Sequence, residues 1–91
     1  MTKEKALEVV SKYRRKYEEL NVPKRKHDHD SFLTPSETAE HCHAMLDDIE
    51  IFLGQGKIDK AFRWLGFVQG CLFKDGVYTI RELRDHNRLE E

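Results

Sequence analysis

No apolar run in this chain approaches the roughly 20 residues that a helix needs to cross a bilayer, so no membrane-spanning segment is expected. Cysteine is scarce, with only Cys42 and Cys71 present. Each falls inside an apolar helical pattern rather than a loop, and no leader-like segment stands ahead of them. Two reduced core thiols are therefore expected, because free cysteine behaves as a small buried hydrophobe; one interhelical disulfide is the alternative. The expected compartment is the cytoplasm. Glycine-rich phosphate loops, a GxSxG elbow, HExxH and paired CxxC motifs are all missing. Their absence removes the familiar signatures of P-loop nucleotide binding, serine-nucleophile hydrolysis and zinc proteolysis. Internal repeats are missing too.

At 91 residues the chain makes one domain at most. A chain of this size buries roughly 60–65% of the surface that it exposes when unfolded. Ordering costs about 1.5 kcal/mol per residue and nearly cancels the hydrophobic gain, so small proteins lean on a disulfide, a metal or a partner subunit. The overall charge of −1 argues against general nucleic-acid binding, but its distribution is uneven. Residues 1–26 carry nine Lys or Arg and four Glu, whereas residues 27–52 carry seven acidic residues and no Lys or Arg. Either the two segments pair, within one chain or between two, or each forms a solvated face.

The expected architecture is all-α, one domain over 1–91, with helices at about 2–20, 35–53, 58–74 and 80–87 and a loop over 21–34. In the first helix Ala6, Val9, Val10, Tyr13, Tyr17 and Leu20 form one amphipathic stripe. Thr2 stands ready as its cap, and Asn21-Val22-Pro23 ends it, since the residue before proline leaves the helical region. Thr34-Pro35-Ser36-Glu37 and Thr79-Ile80-Arg81-Glu82 are capping boxes, the first with proline at the opening helical position. Ala39, Cys42, Met45, Leu46, Ile49, Phe52 and Leu53 make the second stripe, closed by the turn at Gly54 and Gly56. Asp75-Gly76 makes the next turn, and the Leu89-Glu90-Glu91 tail is expected to fray.

The third helix is apolar on two sides. Ile58, Ala61, Phe62, Leu65, Val68 and Leu72 make one face; Trp64, Phe67 and Cys71, with Phe73 beside them, make another. A helix apolar around most of its circumference is buried around most of it, and so few helices cannot cover both faces. This predicts a homo-oligomer that completes the bundle. Gly66 and Gly70 lie one turn apart, each about 1 kcal/mol less favourable than alanine in a helix interior. Close approach of a neighbouring helix is the simplest reason for them, and room for a ligand at the backbone is the alternative.

Two groups of side chains are candidates for function. Lys60, Arg63, Trp64 and Gln69, followed by Tyr78, Arg81, His86, Asn87 and Arg88, combine aromatic rings with guanidinium groups that stack on bases and hold phosphates. Against this, Trp64 would also serve as core or interface, with Arg63 paired to an acid of the second helix. His27, Asp28, His29, Asp30, His41, Cys42 and His43 are all zinc-ligating types. However, His41 and His43 point to nearly opposite sides of a helix, and His29 or His27 reaches them only if the loop folds back. No pair has a recognised metal spacing, so no metal and no cofactor is expected. His43 is then a polar group at a helix contact, satisfied by a carboxylate or a carbonyl. The basic set Lys12, Arg14, Arg15, Lys16, Lys24, Arg25 and Lys26 raises nucleic-acid binding, which the adjacent acidic stretch weakens.

The strings His41-Cys42-His43-Ala44-Met45-Leu46-Asp47-Asp48-Ile49-Glu50, Lys60-Ala61-Phe62-Arg63-Trp64-Leu65-Gly66-Phe67-Val68-Gln69-Gly70 and Tyr78-Thr79-Ile80-Arg81-Glu82-Leu83 resemble a family of short tailed-bacteriophage and prophage proteins. The likeness covers about residues 35–88. It implies a viral accessory protein acting in the host cytoplasm and transfers no catalytic residue. Small phage proteins of that kind often counter host defence, either by gripping a defence protein or by sequestering a small cyclic nucleotide. A non-enzymatic binder of this type is the expected function. The competing class is a metal-binding helical module or small metal-dependent hydrolase built on the His/Asp-rich loop.

Overall fold

The computed structural model describes residues 1–88 of the chain, and the tail expected to fray lies outside them. Four helices and no strand occur among the described residues: α1 (Lys3–Glu19), α2 (Pro35–Gly54), α3 (Ile58–Lys74) and α4 (Ile80–Asn87). The helices begin where threonine side chains satisfy their first free amides. Thr2 Oγ accepts from the Lys5 amide at 3.1 Å. Thr34 and Glu37 bond each other's backbones at 3.2 and 3.0 Å, as do Thr79 and Glu82 at 3.1 and 3.0 Å. Only α3 lacks a side-chain cap, starting directly from the turn after α2.

Three helices end in the same way. After α1 the Val22 amide donates to Tyr17 and the Asn21 amide to Glu18, with Asn21 at φ 56°. After α2, Lys57 donates to Phe52 and Gly56 to Leu53; after α3, Val77 donates to Leu72 and Gly76 to Phe73. Gly56 and Gly76 take φ 76° and 75°. This is the Schellman pattern, in which a left-handed residue lets two amides reach back to otherwise free carbonyls. Pro23 is therefore not what stops α1: the chain has already turned at Asn21. Leu20, expected on the apolar stripe, becomes the cap residue and is half exposed.

α2 and α3 form a tight antiparallel hairpin, α1 lies across both, and α4 closes against α1 and α3. The core takes Ala6, Val9, Val10, Tyr13 and Tyr17 from α1, and Cys42, Met45, Leu46, Ile49 and Leu53 from α2. From α3 it takes only Ala61, Leu65, Val68 and Leu72. The radius of gyration is 12.7 Å, close to the roughly 12 Å expected for a globular chain of this length. Cys42 and Cys71 are free thiols, and the two act on each other's protonation. That interaction, with burial, pushes the Cys42 thiol well up.

The second apolar face of α3 is only partly covered. Trp64 meets the Phe52 ring edge-on, with centroids 4.9 Å apart, whereas Phe67 and Phe73 remain 54% and 47% exposed. Within the chain, no neighbouring element approaches Gly66 or Gly70. A Cβ added at either would meet nothing within 4 Å, and both positions are exposed. The basic first segment and the acidic second one do pair within a single chain. Arg14 holds Asp47 at 3.0 Å and Glu50 at 2.7 Å.

Leu46 has no exposed surface, while Ile51 on the same helix is 54% exposed. Leu46→Ala is expected to lower the unfolding free energy by roughly 2–5 kcal/mol. Ile51→Ala should change it by no more than about 0.5 kcal/mol. Urea titration followed by circular dichroism separates the two.

Candidate functional site

The segment after α1 is strapped along α2 by a series of polar contacts. Lys24 reaches Asp47 at 3.1 Å, Arg25 reaches Glu40 at 3.7 Å and Lys26 reaches Asp48 at 3.4 Å. The Arg25 amide donates to the Glu40 carbonyl, and the His27 amide donates to His41 Nδ1 at 3.0 Å. His27 Nε2 lies 3.0 Å from the Glu40 carboxylate, whose side chain is only 15% exposed. Next comes a turn built on Asp28, whose carboxylate accepts from the Asp30 amide and the Ser31 hydroxyl at 3.1 and 2.9 Å. Those two bonds hold the Asp28 carboxyl below its ordinary pKa.

This folded-back loop forms one wall of a groove of about 490 Å³, within the size range of small-ligand sites. Asp28, His29, Ser31, Phe32 and Leu33 line it from the loop, and Thr38, His41 and Met45 from one stripe of α2. Arg63, Trp64 and Phe67 complete it from α3. Phe32 stands wholly in solvent at the groove's edge. Lys60 lies over the rings of Phe52 and Trp64, at 4.5 and 5.7 Å, and so braces the indole from behind. Among the described residues no carboxylate pairs with Arg63, so its expected partner on α2 is not there. Burial, followed by the nearby His29 and His27, lowers the His41 pKa. Because His41 Nδ1 accepts a hydrogen bond, Nε2 is left as that ring's donor. The groove thus offers aromatic faces, a free guanidinium and an imidazole donor.

The structure divides the sequence-predicted site residues. Arg63 and Trp64 line the groove, and Lys60 stands behind it. Gln69 and Asn87 belong to a network on another side, where Gln69 donates to Tyr13 Oη at 3.0 Å and to Asn87 at 2.6 Å. Tyr78 packs there against Tyr13 and His86, with centroids 5.7 and 4.7 Å away. Arg81 and Arg88 lie on the outer side of α4, with Arg88 3.6 Å from Asp85.

The four histidines considered as zinc ligands also separate. His27 and His29 come to 6.3 and 5.6 Å from His41 between ring centroids. His43 instead is buried, its Nδ1 donating to the Val22 carbonyl at 2.8 Å and its ring stacked on Tyr17. No three His, Cys, Asp or Glu side chains among the described residues are grouped to hold one ion. Phe32, Leu33 and Met45 were not singled out as site residues. An apolar Phe32-Leu33 pair inside a polar loop was the signal available for the first two.

Comparison with protein-family models, with curated proteins and with solved structures finds no match for this chain.

The network beside α4 is sensitive to protonation. Tyr13 Oη accepts from Gln69 and lies 2.9 Å from His86 Nδ1; the neutral imidazole with Nδ1 unprotonated lets the phenol donate its hydrogen there. Burial pushes Tyr13 up to about 12, so it keeps that hydrogen. Burial and then Lys12 hold His86 below its ordinary value of 6.5. A histidine depressed in this way binds fewer protons folded than unfolded. Its contribution to stability is therefore complete above pH 6.5 and is lost as pH falls through the folded value. His41 acts in the same direction. Melting temperature should be flat between about pH 7 and pH 8 and decline below about pH 6.5, with a shallower decline in His86→Asn; the raised Cys42 and Tyr13 groups should bring a second decline only at alkaline pH.

Proposed function

We propose that this chain is a non-catalytic binding protein of bacteriophage type that counters host defence by sequestering a small cyclic nucleotide in the groove between α2, α3 and the 28–33 loop. One observation carries the reading: an unpaired guanidinium, Arg63, beside the rings of Trp64 and Phe67 on the wall of a roomy groove. A nucleotide brings what these groups take up, a flat heteroaromatic base for the rings and a phosphodiester for the guanidinium. His41 adds a donor to the same anion, and Phe32 at the edge offers a second surface on which a base could lie.

The phage-type assignment rests on the resemblance of residues 35–88, and the host cytoplasm is the compartment in which such a signal is met. Gripping a host defence protein remains the second form of the same activity. Phe32, 105% exposed and lining the same groove as half-exposed Phe67, supports it, since a partner chain would bury both rings. Completion of the bundle by further copies belongs to the proposal too, since α3 keeps two half-exposed phenylalanines.

Thermal melts with a panel of cyclic di- and trinucleotides test the ligand. A true ligand should stabilise the fold by about 2.7 kcal/mol at a hundredfold excess over its Kd. Arg63→Ala should remove most of that shift while leaving the unliganded melt nearly unchanged; Trp64→Ala should remove it too but also lower the unliganded melt, because its ring packs on Phe52. If no nucleotide moves the melt, the small-ligand reading fails. Copurification from a defence-bearing host with wild type, set against Phe32→Ser and Phe67→Ser, then examines the protein-gripping form.

A further inference from the structure

We infer that α3 pairs antiparallel with α3 of a second copy of this chain, along the side of the helix that faces solvent. The inference rests on the self-association included above and assigns it a surface and a direction.

At 100° per residue, Gly70 marks the middle of that side. Asp59, Arg63, Gly66 and Lys74 fall within about 40° of it, and Phe67 and Phe73 flank it at about 60° on either side. All seven positions are exposed, whereas the core residues of α3 occupy the opposite side. This is an unpartnered helix face with an aromatic ring along each margin and its smallest residues down the centre. Nothing within the chain accounts for those two glycines, because a Cβ at either would have open space around it. Glycine weakens a helix interior, and what it gives in return is close approach by another backbone.

The charges on this face choose the occupant and the direction. With the two-fold axis between positions 66 and 67, an antiparallel pair sets Asp59 against Lys74 of the second copy. Gly66 lies against its Phe67, and Gly70 against its Arg63. Phe67 and Arg63 each meet a glycine, and each end joins opposite charges. A parallel pair would set Lys74 on Lys74, Arg63 on Arg63 and Phe67 on Phe67, which is both repulsive and overcrowded. A face that is complementary to itself only when reversed is what an isologous dimer requires. Phe67 and Arg63 also wall the ligand groove, so the two grooves would run along opposite flanks of the seam.

Sedimentation equilibrium of the full chain, from micromolar to sub-millimolar concentration, is expected to give twice the 10.8 kDa chain mass. Gly70→Leu should weaken the dimer by about tenfold or more. Because leucine is the better helix former, the thermal melt of dilute monomer should not fall, which separates a lost seam from a lost fold. Direction is read by cross-linking in a Cys71→Ser background. Arg63→Cys with Gly70→Cys should form a disulfide-linked dimer under mild oxidation, and Arg63→Cys alone should not. A monomer throughout the concentration range would overturn self-association altogether. A dimer indifferent to Gly70→Leu, or one cross-linked by Arg63→Cys alone, would overturn this seam and leave self-association standing.

Discussion

His27 holds the groove side of the molecule in place. Its amide donates to His41 and its ring meets Glu40, and together these fix residues 24–27 along α2. The surrounding ion pairs of Lys24, Arg25 and Lys26 are 41 to 71% exposed on the cationic side, and each contributes at most about 1 kcal/mol. The more buried His27–Glu40 contact and the backbone bonds give the strap its register. With that segment placed, the Asp28 turn directs Phe32 outward and leaves a space facing Trp64 and Arg63. Without the strap there would be a bare α2–α3 hairpin and no third wall.

Much of the helical framework is legible in the residues. Thr34-Pro35-Ser36-Glu37 and Thr79-Ile80-Arg81-Glu82 mark helix starts because the cap is a local interaction, closed within three positions. The stripes through Ala6–Tyr17 and Cys42–Leu53 show in spacing alone for the same reason. What could not be read is whatever depends on where distant segments meet. Asn21, not Pro23, turns the chain after α1, because a left-handed asparagine can close a Schellman bond pair. His43 leaves the other histidines because its side of α2 faces Val22 and Tyr17.

The candidate site was legible only in part. Arg63, Trp64 and Lys60 form a local unit on one helix and stay together. Gln69 lies about 140° around α3 from Trp64, and Tyr78 and Asn87 come to it because α4 folds back against α1 and α3. Sequence proximity to Trp64 carried no information about that fold-back. The glycines of α3 illustrate the converse. Their spacing was conspicuous, but only the structure places them on an open side rather than in a crossing within the chain.

Trp64 is the sole tryptophan in the chain, and it forms part of the groove wall with Lys60 over its ring. The protein therefore carries its own optical probe at the place where occupancy matters. Indole emission responds to the polarity and the stacking partners around it. Anything entering the groove would alter the colour or intensity of that emission without a dye or a label.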